Sequence, residues 1–404
     1  MDDTYVCGET ARDIQREKEA RLIYERVFRD PAAYTDFYFR HIFDPRHFLS
    51  LRDGTSILAS LHQNPHDFLL GREKRPTLFY FAVAVDLEKR GRGYMDRLLR
   101  HALRDAREKG IPAVFLTPID DGIYRKYGFS YVSDLLYYRI PLDRLRIASD
   151  WNLREIRKKA GVLLLTEVDG ADVNRELTEI YRKCMKNYHL FFERDENWFR
   201  LRREELAACG GKGYLIREGN RPAGYFTAEP EDDTYRITEC LLIDPKLAPL
   251  VLDLASRQGD YYGKLELTAP PGEDFGIIPE TQLAMGEERR PIFMARILRP
   301  LDLFMSLRLP AGTTLRIRLR DEILPENDGI YRLQAGRPPL REEEKTEEIG
   351  DLELDIRHLA ALLSGYKSFE DLLRPGLITL CKEEKREAFG ALFPKERNYI
   401  REYL

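Results

Sequence analysis

The stretch that decides the fold spans residues 79–131 and reads FYFAVAVDLEKRGRGYMDRLLRHALRDAREKGIPAVFLTPIDDGIYRKYGFSY. It begins with an apolar run, Phe79–Val85, whose β-branched and aromatic residues predict a buried strand. A basic glycine loop follows, and apolar residues at helical spacing then continue to Lys109 and Gly110, a cation and a glycine that favour a helix end. A second buried strand is predicted at Ala113–Leu116. The predicted order is therefore strand, glycine loop, helix, strand.

The glycine loop at residues 90–93 has the properties of a phosphate site. A helix start presents unpaired amide N–H groups and the positive end of the helix dipole. Glycines let the backbone approach a ligand closely, and Arg90 and Arg92 add charge-assisted donors. The sequence therefore predicts a site for a di- or polyphosphate. A nucleotide-hydrolysing P-loop is excluded because no Gly-Lys-Ser/Thr ending is present, and a dinucleotide fold would require a third glycine.

Two motifs in this stretch resemble those of the GNAT N-acetyltransferases. The run Arg90–Met95, RGRGYM, resembles the acetyl-CoA signature Arg/Gln-x-x-Gly-x-Gly/Ala, except that Met95 replaces a small residue. The run Tyr124–Phe129, YRKYGF, resembles the family's Tyr-x-x-x-Gly-Phe. A two-glycine loop alone is a weak signal. Both motifs in the family's order, with the predicted strand between them, make the resemblance specific.

A narrower resemblance covers almost the whole chain. Its length, the run GIYRKYGF at residues 122–129, the run PENDGIY at residues 325–331 and the tail ending at Leu404 resemble the Eis-type (enhanced intracellular survival) acetyltransferases. In that family a bulky apolar residue at the position of Met95 is ordinary. The resemblance implies an α/β (α+β) chain with two tandem GNAT-type domains, the second degenerate, and a C-terminal sterol-carrier-protein-like domain.

The predicted domains are residues 1–148, 149–288 and 289–404. In the second domain, residues 244–250 (DPKLAPL) lie where the phosphate loop belongs, and they contain no glycine. Pro245 and Pro249 remove amide donors and fix the backbone, so this domain is expected to be unable to hold acetyl-CoA. In the third domain, the alternating run at residues 315–321 predicts a half-exposed strand.

The GNAT resemblance implies a set of acetyl-CoA contacts in the first domain. GNAT proteins splay the strand before the loop from its neighbour, so that its free backbone groups can pair with the pantetheine amides. Alternation places Val83 and Val85 on one face and Ala82 and Ala84 on the other, and the two valines can also be core residues. The implied cofactor-binding residues are Val83, Ala84, Val85, Arg90, Gly91, Arg92, Gly93, Tyr94, Met95, Ile119 and Asp120.

The same resemblance implies the catalytic residues. Tyr124 stands at the family's general-acid position, where a phenol with a pKa near 10 can protonate a departing thiolate with a pKa near 8.5. Tyr127 competes for this role, although the motif favours Tyr124. In the Eis family the terminal α-carboxylate, here that of Leu404, accepts the proton of the amine. Two alternatives stay open: the Glu402 side chain supplies the base, or the apolar tail docks only for stability.

The residues before this stretch predict two helices and a hairpin. Apolar residues between Ala20 and Phe28 predict an opening helix, and residues 34–42 predict an aromatic second helix, which in a GNAT fold covers the acceptor side. Asp53-Gly54 predicts the turn of a β-hairpin. Residues 63–76 are expected to form a turn-rich region that leads into the central strand.

Composition narrows the remaining possibilities. The chain has 404 residues, 43% of them hydrophobic and 33% charged, and a formal net charge of -4, so neither a nucleic acid nor a membrane is expected as a partner. No apolar run approaches the ~20 residues of a membrane span, and the N-terminus lacks the apolar core of a signal peptide, which predicts a cytoplasmic protein. Five scattered cysteines and seven histidines show no ligand spacing, so no metal is expected.

The sequence thus predicts an acetyl-CoA-dependent N-acetyltransferase that acts on a primary amine of a small molecule. The resemblance makes an aminoglycoside- or polyamine-like acceptor possible, and it implies a homo-oligomer, a hexamer in the Eis group. The alternative is a non-catalytic acyl-CoA- or lipid-binding module.

Overall fold

The computed structural model describes residues 4–7, 13–145, 153–167, 170–271, 286–342 and 349–402. The chain forms two compact units: unit 1 comprises Met1–Ser133, His189–Glu193 and Ile292–Leu404, and unit 2 comprises Asp134–Tyr188 and Arg194–Pro291. The three-domain partition stays a prediction. Its first boundary, residue 148, lies outside the described residues, and its second, residue 288, falls inside a continuous strand.

The strands of the described residues follow in chain order. They are β1 (Thr4–Val6), β2 (Phe48–Asp53), β3 (Ser56–Leu70), β4 (Glu73–Val85), β5 (Ala113–Leu116), β6 (Ser130–Pro141), β7 (Ala160–Leu164), β8 (Leu190–Phe192), β9 (Lys212–Glu218), β10 (Arg221–Ala228), β11 (Thr234–Leu242), β12 (Lys264–Ala269), β13 (Glu287–Ile297), β14 (Thr314–Arg320), β15 (Gly329–Gln334), β16 (Leu340–Arg341), β17 (Leu352–Asp355), β18 (Ile378–Leu380) and β19 (Asn398–Tyr399).

The α-helices are described in the same way. They are α1 (Ile14–Phe28), α2 (Ala32–His41), α3 (Tyr94–Glu108), α4 (Asp121–Arg125), α5 (Leu153–Lys159), α6 (Gly170–Met185), α7 (Glu196–Ala208), α8 (Ala248–Ser256), α9 (Pro300–Phe304), α10 (Ile356–Leu363), α11 (Phe369–Leu373) and α12 (Arg386–Leu392). In the part of the chain that the structure describes, no helix is long and apolar enough to cross a membrane.

The central sheet of unit 1 has the strand order β1-β2-β3-β4-β5-β13. All neighbours are antiparallel except β4 and β5, which run parallel because α3 connects them. The predicted order of strand, glycine loop, helix and strand is therefore confirmed. One face of α3 carries buried apolar residues at helical spacing: Leu98, Leu99, Ala102, Leu103 and Ala106.

The expectation of a turn-rich region at residues 63–76 is wrong. β3 and β4 form one long hairpin through this region, and its turn lies at Gly71, which has a φ of 63°. Pro65 lies inside β3, after the last β3 residue paired with β2, His62, and before the first paired with β8, Phe68. A missing amide hydrogen is tolerated best where a strand lacks a neighbour on one side.

The two helices and the first hairpin match their predictions. The β2–β3 hairpin turns at Gly54, which has a φ of 58°, with Asp53 opposite Ser56. The aromatic helix α2 buries all three of Phe37, Tyr38 and Phe39. These side chains are core residues, and Tyr38 and Phe39 pack with α1 against β3 and β4.

The C-terminal part of unit 1 adds a second sheet with the order β16-β15-β14-β17-β18. Ser368 and Asp371 form a capping box at the start of α11, as their spacing indicates. The chain then returns to the central sheet: β19 pairs in parallel with β8, and β8 pairs with β3. The C-terminal segment is therefore part of the sheet that carries the glycine loop.

Unit 2 has the strand order β6-β12-β11-β10-β9-β7. Its β11 and β12 are parallel and α8 connects them, whereas its other described pairs are antiparallel. Unit 2 thus repeats the parallel strand–helix–strand arrangement of β4, α3 and β5. Its core is formed by apolar residues of these strands and of α8.

Candidate functional site

The site begins where β4 leaves β5. The two strands pair from Thr77, opposite Ala113, to Phe79, opposite Phe115. β4 then continues to Val85 alongside β3, whereas no β5 partner is present for its last residues in the described pairing. The backbone N–H and C=O groups on that side of β4 are therefore available to a ligand. This is the splay that the GNAT resemblance implies.

A β-bulge marks the same part of β4. His62 of β3 lies opposite Phe81 and Ser60 lies opposite Ala84, so β4 contains one extra residue over this interval. Ala82 adopts a φ of 50°, which costs an L-residue roughly 1–2 kcal/mol. Bulges of this kind are common beside active sites, and strained backbone there is often part of the function. Nothing in the alternation of the sequence predicted it.

The side chains of β4 divide between two cores after the bulge. Val83 and Val85 are half-buried against the core that contains Leu98 and Leu99 of α3. Ala82 and Ala84 pack on the other side, in the core that α1 and α2 cover. The faces predicted for Val83, Ala84 and Val85 agree with this arrangement. The described β4–β5 pairing ends at Phe79, so it is the backbone of these three residues that would meet a ligand in the splay.

The glycine loop leads directly into α3. Gly91 and Gly93 have φ values of 77° and 78°, and Gly93 is the N-cap residue of α3, with no side chain capping the first-turn amides. A Cβ atom at either glycine would have no neighbour within 4 Å, so backbone conformation rather than crowding requires glycine here. Arg90 and Arg92 are exposed beside these amides, and Tyr94 and Met95 are half-buried.

Tyr124 lies on the short helix α4, which Asp120 starts by accepting a hydrogen bond from the Gly122 amide at 2.8 Å. Its ring is 7% exposed and contacts Phe129 edge-on, with centroids 5.9 Å apart. Burial raises the pKa of Tyr124 to about 12. The phenol is therefore neutral near pH 7, which is the state that can donate a proton. Ile119, just before this helix, is 87% exposed.

Tyr127, the competing tyrosine, is more deeply placed. Its ring is 1% exposed, and burial, together with the nearby Asp96 carboxylate, raises the pKa of its phenol. Both tyrosines belong to one apolar cluster that also includes Val83, Val85, Tyr94 and Met95. The structure thus brings Tyr124 together with β4 and the start of α3. Ala84 lies outside this cluster, on the face covered by α1 and α2.

The C-terminal segment is buried in unit 1 as far as it is described. The Asn398 side chain accepts from the Leu190 amide at 3.1 Å and donates to the Val132 and Ser364 carbonyls at 2.8 and 2.9 Å. Ile400 is fully buried, and Glu402 is 2% exposed. Leu404, the residue expected to carry the basic carboxylate, lies outside the described residues.

A buried histidine that the sequence did not single out lies on the α1–α2 side of β3. The Tyr38 hydroxyl lies 2.8 Å from Nδ1 of His62 and donates to Asn64 Oδ1 at 3.3 Å. Burial lowers the pKa of His62 to about 3, so the imidazole is neutral near pH 7. Rings of Tyr24, Phe39, Phe43, Phe48 and Phe81 surround it.

Comparison with known proteins assigns two parts of the chain to families. Residues 12–132 match the acetyltransferase (GNAT) domain, and residues 302–401 match the sterol carrier protein domain. No curated protein matches the sequence at a significant level. Among the described residues, no group of three or more His, Cys, Asp or Glu side chains is arranged to hold a metal ion.

Several solved structures share the fold over their full length. A probable N-acyltransferase from Enterococcus faecalis V583 has a TM-score of 0.81 and 15% identity, with 100% of each chain covered. A GCN5-related N-acetyltransferase from Anabaena variabilis has a TM-score of 0.77 and 20% identity over 99% of each chain. Eis1 from Mycobacterium abscessus has a TM-score of 0.76 and 17% identity, covering 98% of this chain and 99% of its own.

These findings define the class of protein. The chain carries an acetyltransferase (GNAT) domain and a C-terminal sterol carrier protein domain, so it is an acetyltransferase by its domain content. The fold of Eis1 extends over nearly all of both chains, so the chain shares its fold.

Proposed function

We propose that the protein transfers an acetyl group from acetyl-CoA to a primary amine of a small molecule. The observation that carries this proposal is that the splayed, bulged end of β4 leads through the glycine loop to the start of α3, where no side chain caps the first-turn amides. The β4 edge beyond Phe79, which has no strand partner among the described residues, suits the amides of pantetheine, and the loop with Gly91 and Gly93 suits the pyrophosphate. Arg90 and Arg92 are exposed cations beside the loop.

Tyr124 is proposed as the general acid. The neutral amine attacks the thioester carbonyl, a C–N bond forms, and the C–S bond breaks as the CoA thiolate leaves. The Tyr124 phenol gives its proton to that sulfur, and a base takes the proton of the amine. A phenol whose pKa is about 12 remains protonated at neutral pH, and its burial in an apolar cluster holds the ring in place.

The Leu404 carboxylate is proposed as the base, with the Glu402 side chain as the rival. An α-carboxyl has an ordinary pKa of about 3.3–3.7, and burial raises it toward a more useful range. Support comes from the buried segment that precedes it, since Asn398 and Ile400 are held inside unit 1. Adding one alanine after Leu404 moves the carboxylate and keeps every side chain, whereas Glu402→Gln removes only the rival. Full turnover of the extended protein would contradict the proposal.

The acceptor is proposed to approach from the α1–α2 side. The support is the GNAT resemblance, in which the two early helices cover the acceptor side. In this chain α1 and α2 pack against β4, the strand at which the proposed acetyl-CoA site begins. An aminoglycoside- or polyamine-like amine fits the resemblance. A homo-oligomer larger than a dimer is proposed on the same ground, and light scattering tests it.

The decisive experiment is free-thiol release from acetyl-CoA with a panel of amines. An N-acetyltransferase releases one thiol per acetylated amine, which mass spectrometry identifies. Binding of acetyl-CoA without amine-dependent thiol release would instead support a non-catalytic acyl-CoA-binding module. Lipid binding without any acetyl-CoA binding would support the lipid-carrying alternative.

A further inference from the structure

The glycine of the Tyr-x-x-x-Gly-Phe motif is held against a buried arginine. Gly128 ends the α4 turn with a φ of +85°, and its amide donates to the Arg125 carbonyl at 3.0 Å. A Cβ atom at Gly128 would lie 2.8 Å from Nε and 3.0 Å from Cζ of Arg296, and 3.0 Å from Cγ2 of Ile356. The backbone of the motif therefore rests directly on the guanidinium of Arg296, which belongs to β13.

Arg296 is fixed by a carboxylate from the C-terminal part of unit 1. Its Nη2 donates to both oxygens of Asp321 at 2.6 and 2.7 Å, and its Nη1 donates to the Ile297 carbonyl at 2.8 Å. Both side chains are 0% exposed. Such a pair is weak support for stability, because desolvation offsets much of its attraction, so its geometry is the more informative property.

Asp321 is itself held in place from three directions. Its Oδ1 accepts from the amides of Ile323 and Leu324 at 3.2 and 3.0 Å, and its Oδ2 accepts from Asn327 Nδ2 at 2.9 Å. Asn327 belongs to the PENDGIY run, and its carbonyl accepts from the Tyr331 hydroxyl at 2.8 Å. The carboxylate cannot rotate without losing several of these bonds, so Arg296 has one orientation.

The same residues contact the apolar cluster of Tyr124. Ile323 and Leu324 lie in the cluster that contains Tyr124 and Phe129. Phe129, the residue after Gly128, makes the edge-on contact with the Tyr124 ring. A displacement of Arg296 would therefore move Gly128 and Phe129, and with them the ring of Tyr124.

We propose that Arg296 and Asp321 are positioning residues that hold the Tyr124 phenol at the sulfur of the leaving thiolate. The proposal rests on the proposed function, since it requires Tyr124 to be the proton donor. Misplacing a reacting group by about 1 Å can cost ~10²-fold in rate. Both residues lie outside the matched acetyltransferase domain, residues 12–132, yet they position the proposed acid of that domain.

The test compares Arg296→Lys and Tyr124→Phe, singly and together, in the full-length protein. Arg296→Lys keeps the charge but loses the planar guanidinium, which contacts Asp321 through Nη2 and the Ile297 carbonyl through Nη1. The kcat should therefore fall roughly 10-fold while the acetyl-CoA Kd changes less than about 2-fold. In the Tyr124→Phe background the same change should lower kcat by less than about 2-fold, because the group that it positions is already absent.

A matched control comes from unit 2, where Arg194 is also 0% exposed and pairs with Glu239. Arg194→Lys perturbs a comparable buried pair and should leave kcat of the folded protein unchanged. If Arg296→Lys does not fold, Asn327→Ala removes one anchor of Asp321, and its effect on kcat should also disappear in the Tyr124→Phe background.

Three outcomes overturn the proposal. An unchanged kcat in folded Arg296→Lys or Asn327→Ala, when Tyr124→Phe is impaired, would leave the acid assignment standing and reduce the pair to a structural role. An equal fold-loss in the presence and absence of the Tyr124 hydroxyl would do the same. If Tyr124→Phe itself retains full kcat, the acid assignment fails, and the positioning role fails with it.

Discussion

The two parallel strand–helix–strand segments of the molecule share their strand geometry, but they differ in the loop that would bind a phosphate. β4 stops pairing with β5 at Phe79, and β11 stops pairing with β12 at Ile237. Each strand then carries one extra residue relative to its antiparallel neighbour, at Ala82 and Thr238. The splay and the bulge are therefore properties of the fold in both units.

The loops after these strands are different. In unit 1, Gly91 and Gly93 adopt positive φ values before the uncapped start of α3. In unit 2, Asp244 caps a 3₁₀ turn that contains Pro245, and Pro249 occupies the first turn of α8. Proline has no amide hydrogen to offer a phosphate. The comparison teaches that this fold survives the loss of its phosphate loop.

The side chains near the two bulges differ as well. In unit 1 the bulged strand presents the small residues Ala82 and Ala84 to the α1–α2 core. In unit 2 Glu239 follows the bulge and pairs with Arg194 at 2.9 Å, and the Arg194 guanidinium lies 4.0 Å from the Trp198 ring centroid. Beside its bulge, unit 2 therefore has a buried Arg194–Glu239 ion pair and the Trp198 ring, where unit 1 has two alanines.

The largest expected effect comes from removing the glycine that the comparison singles out. Gly93→Val forces a β-branched residue to a φ of 78°, so the loop must change shape and acetyl-CoA binding should weaken more than about 100-fold by calorimetry. Gly110→Val is the matched control, since Gly110 has a φ of 81° at the other end of α3 and its Cβ would also meet nothing within 4 Å.

Wild-type protein should bind one acetyl-CoA per chain, and Gly93→Val should remove that one site. Retention of a second, unaffected binding event would mean that unit 2 holds acetyl-CoA despite Pro245 and Pro249, and the comparison would fail. Equal losses in Gly93→Val and Gly110→Val would show that the effect is general strain in α3.

Tyr124→Phe should lower kcat by about 10²-fold or more while the acetyl-CoA Kd stays unchanged, because a positioned acid contributes ~10²–10⁴-fold. Because the pKa of Tyr124 is raised to about 12, the phenol keeps its proton through the alkaline range, and loss of the acid should not reduce kcat below about pH 11. An alkaline limb near pH 9 that disappears in Tyr124→Phe would contradict this. Tyr127→Phe is the control, with kcat expected within a few-fold of wild type.

Local pattern made the main elements of this site predictable. The apolar run at Phe79–Val85, the glycines at 91 and 93 and the spacing of apolar residues in α3 are all local signals. The structure has a strand at the first, positive φ values at the two glycines and a helix at the third, whereas the phosphate site stays a prediction. The hairpin at Gly54 was predictable for the same reason. Each of these features depends on residues that are close together in the sequence.

The features that could not be predicted depend on distant partners. Ala82 gives no sign of its φ of 50°, because the bulge arises from the register with β3. Arg296 and Asp321 are 25 positions apart, and only their pairing explains both charges in a buried position. An arginine inside the apolar run IFMARIL at residues 292–298 was the one available signal. The continuous hairpin was missed because residues 63–76 have the composition of a loop, and the strand that pairs with Phe68–Leu70, β8, comes from much later in the chain.

A third prediction concerns the ion pair that occupies unit 2. Glu239→Gln leaves the buried Arg194 charge without its carboxylate, which should reduce the free energy of unfolding by about 3 kcal/mol or more in urea titrations. Glu204→Gln is the control, because the Arg200–Glu204 pair is exposed and contributes at most about 0.5 kcal/mol. Acetyl-CoA affinity should not change in either variant. A change of affinity in Glu239→Gln would mean that unit 2 takes part in cofactor binding.

The smallest expected effect is the difference in stability between alanine and glycine at the two bulges, and its sign should differ between them. Ala82 has a φ of 50°, whereas Thr238 is not among the residues with positive φ. Glycine at position 82 removes roughly 1–2 kcal/mol of left-handed strain and costs about 0.5–1 kcal/mol of chain entropy, so Ala82→Gly should be neutral or stabilising by up to about 1.5 kcal/mol.

At Thr238 the comparison must be made between two variants, because the native hydroxyl lies 2.9 Å from that of Thr227 and donates to Glu229 at 2.6 Å. Thr238→Ala removes both contacts, and Thr238→Gly removes the same contacts plus the Cβ atom. With no strain to relieve, glycine should be less stable than alanine here by about 0.5–1 kcal/mol. Urea unfolding of the four proteins gives both differences.

If glycine is less stable than alanine at both positions, the bulge of β4 stores no strain, and the two units differ at this point only in their side chains. If the signs are opposite, unit 1 alone keeps a strained backbone beside the splay, at the place where the proposed acetyl-CoA site begins.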